Sequence, residues 1–383
     1  GLLADLEDPV EKKDRDYYPG LYDELFHNGK HIAHSANVSI LMYMCNKEAL
    51  RKTGQTLPPY RWRFEEFEKM GREYVKEANR GEKRQTRFFA DKVNRELMRR
   101  SLGVSWFNET MTKSALNDPR NVEVLLKIHQ WTFEDHIIPS LGEIQSLSTD
   151  LVQGFGGAPV QLFHRGNFAM ILFGTWVLVS LRELGTPIDL GAVEPPHGGF
   201  PTTDIYGRVI AVYSGSPNKK EAGQFIEFLS SESFNRNVIE SGDGYPPDPA
   251  YLSDPSLLHP ATYSNEWLLH EAFAKASMEI SQCREYSSFC QLQDYIRKEE
   301  DAFYGFMSGL YSAESATEQM GRQMDNAIQA YLGRRPKLFE SYQAALERQK
   351  KIDAVKKAGK KIPLELVDNP VLKRFYLETG RGE

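Results

Sequence analysis

The stretch FHRGNFAMILFGTWVLVSL, Phe163 to Leu181, is the most apolar in the chain, and its length limits what it can form. From Phe168 to Leu181 the apolar run has 14 residues, counting its glycine and threonine, with Arg165 and Arg182 close outside it. A membrane-spanning helix needs about 20 such residues. The run therefore reads as a core element of a soluble chain. Gly174, Thr175 and Trp176 divide it into a strand, 169–173, and the start of a helix. The strand has no polar alternation, as expected when both of its faces are covered.

A chain of 383 residues exceeds the size at which a single core stops growing, so at least two lobes are expected. A net charge of -6 gives no reason to expect a nucleic-acid partner. The tail ERQKKIDAVKKAGKKIP, Glu347 to Pro363, carries seven lysines and arginines against two acids and reads as a solvated helix face. Cys45, Cys283 and Cys290 fit no zinc or redox spacing and read as buried thiols.

Short strand-like runs alternate with helices, which favours an α/β fold with crossover connections. Ala36 to Met44 is expected to be one strand. The segment WRFEEFEKMGREYVKEAN supplies a helix with Phe67, Met70, Tyr74, Val75 and Ala78 on one face. Gly207 to Tyr213 is expected to be a buried strand, followed by a helix that Ser216 caps and Pro217 begins. A capping box at Ser315 and Glu318 is expected to open the next-to-last long helix, and a final one should run from Lys337 to about Ala358. The Gly- and Pro-rich segments 191–207 and 241–251 read as long surface loops that hold ligand-contacting residues.

Catalytic patterns are absent. His27, His31 and His34 lie close in sequence, but Asn28-Gly29 is a turn signal that denies them a shared helical face, so a turn entering a strand is expected. There is no G-x-S-x-G elbow and no P-loop, and GFGGAP, Gly154 to Pro159, reads as a loop. No cofactor and no metal are expected.

The order of four segments resembles the extracellular solute-binding proteins of ABC importers, the family that includes maltodextrin- and other sugar-binding proteins. FHRGNFAMILFGTW is similar to that family's most recognisable stretch, and GRVIAVYSGSPNKKEAGQFIEFLSS to the strand and helix that follow it. ILMYMCNKEALRKTGQTLPPYRW is similar to its crossing strand, and SGLYSAESATEQMGRQMDNAI to its C-terminal part. The resemblance implies two α/β lobes joined by crossing strands, as in periplasmic binding proteins. The first lobe would comprise 1–41 and 213–283, the second 42–212 and 284–383 with the C-terminal helices.

It also implies a non-catalytic receptor that takes up a solute, expected to be a carbohydrate, by lobe closure and presents it to a membrane permease. Such a protein, with its N-terminal part complete, is expected as a monomer in the periplasm or outside the cell, where a lipid anchor would be one mode of attachment. Trp176, at the carboxyl end of a buried strand, is the leading ligand contact, since ligands of open α/β sheets bind there. Asn37, His34, Tyr206, Gly207, Asp243, Tyr245, Tyr286 and Ser288 are the further ligand-binding candidates, near the expected crossings. The alternative is a glycan-active enzyme on the same scaffold.

The chain departs from the family pattern in three places. GLLADLEDPVEKK resembles the middle of the family's first lobe, so that lobe is expected to lack its opening strands. The chain should then be less stable, or more prone to self-association, than one restored at that end. Met44 and Cys45 replace an aromatic pair before Asn46, and His34 replaces a common proline.

Overall fold

The computed structural model describes residues 2–6, 17–27, 29–149, 151 and 157–383. The contacts divide the chain into two compact units. The first comprises 1–93, 135–196 and 201–283, and the second 94–134, 197–200 and 284–383. These units differ from the expected lobes, because both larger β-sheets belong to the first.

The strands of the first unit are β1 (Phe26–His27), β2 (Lys30–His31), β3 (His34–Ile40), β4 (Met42–Asn46), β5 (Phe88–Ala90), β6 (Phe168–Phe173), β7 (Leu190–Val193), β8 (Thr203–Ile210) and β9 (Ser281–Gln282). β1 and β2 form a hairpin, so His27 and His31 lie on strands; Asn28 lies outside the described residues. The strand expected from Ala36 to Met44 is two strands interrupted at Leu41, each in a different sheet.

One sheet has the order β3-β8-β9, the other β5-β6-β4-β7. In the second, β4 is antiparallel to β6 and to β7, and β5 is parallel to β6, so β5, β6 and β7 end at one edge. Every residue of β6 is buried, as the missing alternation predicts. The core includes Phe88, Phe168, Ile171, Met44, Val38, Ile205 and Phe273.

At Leu41 three segments lie side by side. The Leu41 amide donates to the Asp204 carbonyl at 3.0 Å, and the Thr203 hydroxyl donates to the Leu41 carbonyl. The Thr203 amide donates to the Ile280 carbonyl at 3.0 Å, and Thr203–Asp204 pairs in parallel with Ser281–Gln282.

Several local expectations are corrected. β8 is buried only in its first three residues, and Tyr206 to Ile210 are exposed or half-buried, because among the described residues no element covers that half. The next helix is Lys219–Leu229, with Asn218 before it; the Ser216 hydroxyl accepts from the Asn218 amide and holds the preceding turn instead. Ser312, not Ser315, caps helix Ala313–Arg334. The Gly157 to Pro159 part of GFGGAP lies in helix Gly157–His164, where Pro159 occupies the first turn and no intrahelical donor is lost; 154–156 lie outside the described residues. The expected surface loops are mostly buried: 191–193 form β7, and Gly244, Tyr245, Pro246 and Pro247 are enclosed.

The second unit is helical. Its helices are Arg95–Ser101, Pro119–His129, Gln293–Met307, Ala313–Arg334, Phe339–Lys357 and Pro370–Glu378. Their starts follow from sequence: Asn94 accepts from the Glu96 and Leu97 amides, and Asp118 and Asn369 each cap a helix that begins with proline. A buried ion network holds it together. Glu299 accepts from Arg95 and Arg99, while Arg100 donates to both Glu96 and Glu285. Cys45, Cys283 and Cys290 are buried thiols, and burial pushes the Cys45 thiol far above its ordinary range.

Candidate functional site

The carboxyl ends of β5, β6 and β7 meet at one edge of the four-stranded sheet, and each is followed by residues with useful chemistry. β5 runs into Asp91 and Lys92, β6 into Gly174, Thr175 and Trp176, and β7 into Glu194. Open parallel sheets bind ligands at such an edge, because strands deliver the ensuing loops there together.

Trp176 immediately precedes helix Val177–Glu183 and is half-buried. Its ring stands edge-on to Phe173, with centroids 5.4 Å apart at 71°. A Cβ on residue 174 would lie 2.8 Å from the indole Cδ1, so glycine is what lets the ring lie against the backbone. Lys92 Nζ sits 4.2 Å from the Phe173 centroid, and the Tyr43 hydroxyl fixes the Lys92 carbonyl at 2.8 Å. The Thr175 hydroxyl is buried and has no hydrogen-bond partner among the described residues.

Asp91 is 3% exposed and accepts the Leu172 amide at 2.9 Å. Burial raises its pKa to about 6; Lys92, 3.9 Å away, and the Leu172 amide offset only part of that. At the β7 end Arg61 makes two 2.9 Å bonds to the buried Glu194. Half-exposed indole surface near the exposed Lys92 ammonium, with Asp91 and Thr175 buried beneath, suits a hydroxyl-rich ligand with one apolar face. Among the described residues no group of three or more His, Cys, Asp or Glu could hold a metal ion.

A second cluster lies along β3. The register of β3 on β8 shifts between Ser35 and Val38, and Asn37 sits in that bulge with its Nδ2 donating to the Asp243 carbonyl at 2.6 Å. Gly207 pairs with Val38, and a Cβ there would strike the Ser35 hydroxyl. Val38 and Tyr245 exchange backbone hydrogen bonds of 2.9 and 2.7 Å. The structure thus brings Asn37, Gly207, Asp243 and Tyr245 together.

Tyr245, however, is fully buried and donates its hydroxyl to the His270 carbonyl, which makes it a core residue with no face for a ligand. His34 lies at the far end of β3 against Ser230, and Tyr206 is exposed opposite Ser39. Tyr286 and Ser288 are exposed in the second unit. The three adjacent segments Leu41, Thr203–Asp204 and Ser281–Gln282 all belong to the first unit and lie upstream in sequence of Tyr206 and Tyr286.

A family model described as bacterial extracellular solute-binding protein matches residues 1–257, about two thirds of the chain. The chain belongs to this family. Solved structures agree with this solute-binding protein in fold. An ABC substrate-binding protein of Listeria monocytogenes, in complex with cycloalternan, gives a TM-score of 0.69 at 20% identity, covering 87% of this chain and 81% of that one. The cyclic alpha-maltosyl-1,6-maltose binding protein of Arthrobacter globiformis gives 0.66 at 16%, covering 86% and 81%. The sugar-binding protein MalE of Xanthomonas citri gives 0.66 at 15%, covering 88% and 81%. The fold is that of the two-lobed periplasmic binding proteins. No protein of curated function matches in sequence. Among the described residues no helix of this solute-binding protein is long and apolar enough to cross a membrane.

Asp91 carries a pH prediction for the solute-binding protein. Its folded pKa of about 6 lies above the ordinary carboxyl value, so folding takes up a proton between the two. That stability is fully present below about pH 4 and is lost as pH rises through 6. Asp91→Asn keeps an acceptor for the Leu172 amide and should abolish this dependence. Relative to the parent, it should gain about 2–3 kcal/mol at pH 7.5 and almost nothing at pH 4. Urea unfolding at both pH values checks this; an equal difference at the two would refute it. Sequence reasoning missed Asp91, Lys92, Phe173 and Thr175. The pair Asp91-Lys92 directly after the apolar FFA was the available signal, but three residues are too few for a pattern to register.

Proposed function

We propose that this protein captures a carbohydrate outside the cytoplasmic membrane and delivers it to the permease of an ABC importer. The observation that carries the reading is the half-buried Trp176 ring at the carboxyl edge of β5, β6 and β7, beside Lys92, Asp91 and Thr175. Two structural relatives, one in complex with cycloalternan and one that binds cyclic alpha-maltosyl-1,6-maltose, support the same class. On this reading the indole takes the C–H face of a sugar ring and the exposed Lys92 ammonium takes a hydroxyl, while Asp91 and Thr175 support the site from beneath. Asn37, Asp243 and the exposed Tyr206 are proposed as further contacts.

The lobes are proposed to divide at Leu41, Thr203 and Ser281, where three adjacent segments flex together. Closure needs only that the sugar bind the closed form better than the open one. The protein acts as a monomer, without nucleic acid and without changing its ligand; lipid anchoring belongs to the same proposal. Thermal shift against mono- and oligosaccharides tests it. A true ligand at 100 times its Kd should add about 2.7 kcal/mol of stability. Mass spectrometry should recover that ligand unaltered. Product formation would favour the glycan-active alternative, and no shift with any sugar would refute the carbohydrate reading.

A further inference from the structure

The first unit carries 24 Lys and Arg against 33 Asp and Glu, whereas the second carries 23 against 20. Five of the second unit's 23 Lys and Arg surround one concave pocket of about 470 Å3, within the usual size of small-molecule sites. Arg120, Lys356, Lys360, Lys361 and Arg381 line it, and the described residues put no carboxylate in its lining.

Two of these cations are held by acids behind the wall. Arg120 makes 2.8 and 2.7 Å bonds to Asp118, and Lys356 pairs with the buried Glu109. Burial would raise the Glu109 carboxyl, but Lys356, Tyr376 and Gln349 keep it below the ordinary range and therefore charged. Lys360, Lys361 and Arg381 add three further positive charges against these two carboxylates.

Their placement is built into the backbone. Gly359 and Gly380 adopt positive φ of 64° and 68°, turning the chain after two helices so that 360–362 and 381–383 run together. The Ile362 amide donates to the Arg381 carbonyl at 2.9 Å, and the Glu383 amide to the Ile362 carbonyl at 3.0 Å. The floor is aromatic: Phe375 lies 5.2 Å below the Arg381 guanidinium, and Tyr376 is fixed by its hydroxyl on Glu109. The ends of helices Phe339–Lys357 and Pro370–Glu378 each contribute about half a negative charge, together too little to account for three cations.

We infer that this pocket binds a small molecule through a phosphate or diphosphate group. The site is separate from the residues around Trp176 and does not rest on the carbohydrate reading. The test is an amide-resolved NMR titration of the whole chain with inorganic pyrophosphate at 50 mM salt. Saturable shifts are expected at 359–361 and 380–381, and affinity should fall at least several-fold at 200 mM salt. The triple variant Lys360→Gln, Lys361→Gln, Arg381→Gln should keep the parent's Tm and lose pyrophosphate affinity by tenfold or more.

Vesicles of phosphatidylglycerol, compared with phosphatidylcholine, identify the source of the group. Phosphatidylglycerol-selective binding that pyrophosphate competes away supports a lipid headgroup as the natural ligand. Pyrophosphate binding without vesicle binding supports a soluble phosphate ester. Unsaturable shifts, or equal affinity in the triple variant, would overturn the inference.

Discussion

Trp176→Ala is expected to weaken carbohydrate binding by roughly 30-fold, equivalent to about 2 kcal/mol. The ring is half-exposed, rests against Phe173 and lies over a backbone that only Gly174 leaves open, so it is positioned before any ligand arrives. A rigid aromatic surface loses little conformational entropy on binding, and for that reason truncating it removes more affinity than truncating a flexible polar contact. Trp176→Phe should retain most of the affinity, because a flat apolar face remains. Calorimetry with a sugar identified by thermal shift decides the matter. An alanine variant within twofold of the parent would remove Trp176 from the site.

Glu285→Ala should destabilise the second unit by about 3–5 kcal/mol, because it leaves a buried cation without one of its partners. Glu285 and Arg100 are each 1% exposed at the side chain and lie 2.9 Å apart. The other carboxylate oxygen accepts the Ser105 hydroxyl at 2.7 Å and the Trp106 amide at 2.9 Å. Burial would raise this carboxyl, but Arg100, Ser105 and Trp106 hold it below its ordinary range. Its contribution is accordingly present above the unfolded carboxyl pKa and is lost as pH falls through the folded one. The triple replacement Glu96→Gln, Arg100→Met, Glu285→Leu should cost far less, since it removes the buried cation together with both carboxylates that pair with it. Thermal and denaturant unfolding of both variants checks the pair. A cost below 1 kcal/mol for Glu285→Ala would mean that Glu96 alone satisfies Arg100.

Some of the site could be read from sequence. The unbroken apolar run 168–173 required a strand covered on both faces, and Gly174 followed by a bulky aromatic marked its carboxyl end. Both features come from local chemistry, namely side-chain period and the space a glycine leaves. Asp91 and Lys92 were not recognised, because what makes them part of the site is the parallel pairing of β5 with β6, a contact between residues some 80 positions apart. Tyr245 shows the opposite error. A Gly- and Pro-rich segment suggested an exposed loop, but its backbone pairs with Val38 and its ring is sealed against Phe273.

By itself the sequence determined that the chain is α/β, that it carries no nucleophile or phosphate-loop motif, and that its segments follow the solute-binding order. These are properties of composition, periodicity and short motifs, which neighbouring residues express without help. Only the tertiary structure decided that the strand entering at His34 breaks at Leu41, because Thr203 and Asp204 there take up its carbonyl and amide. The same holds for the convergence of Lys360, Lys361 and Arg381, which depends on a hydrogen bond between two turns. Which strand ends meet, and which charges face one cavity, are set by long-range pairing, and a local pattern carries no information about its distant partner.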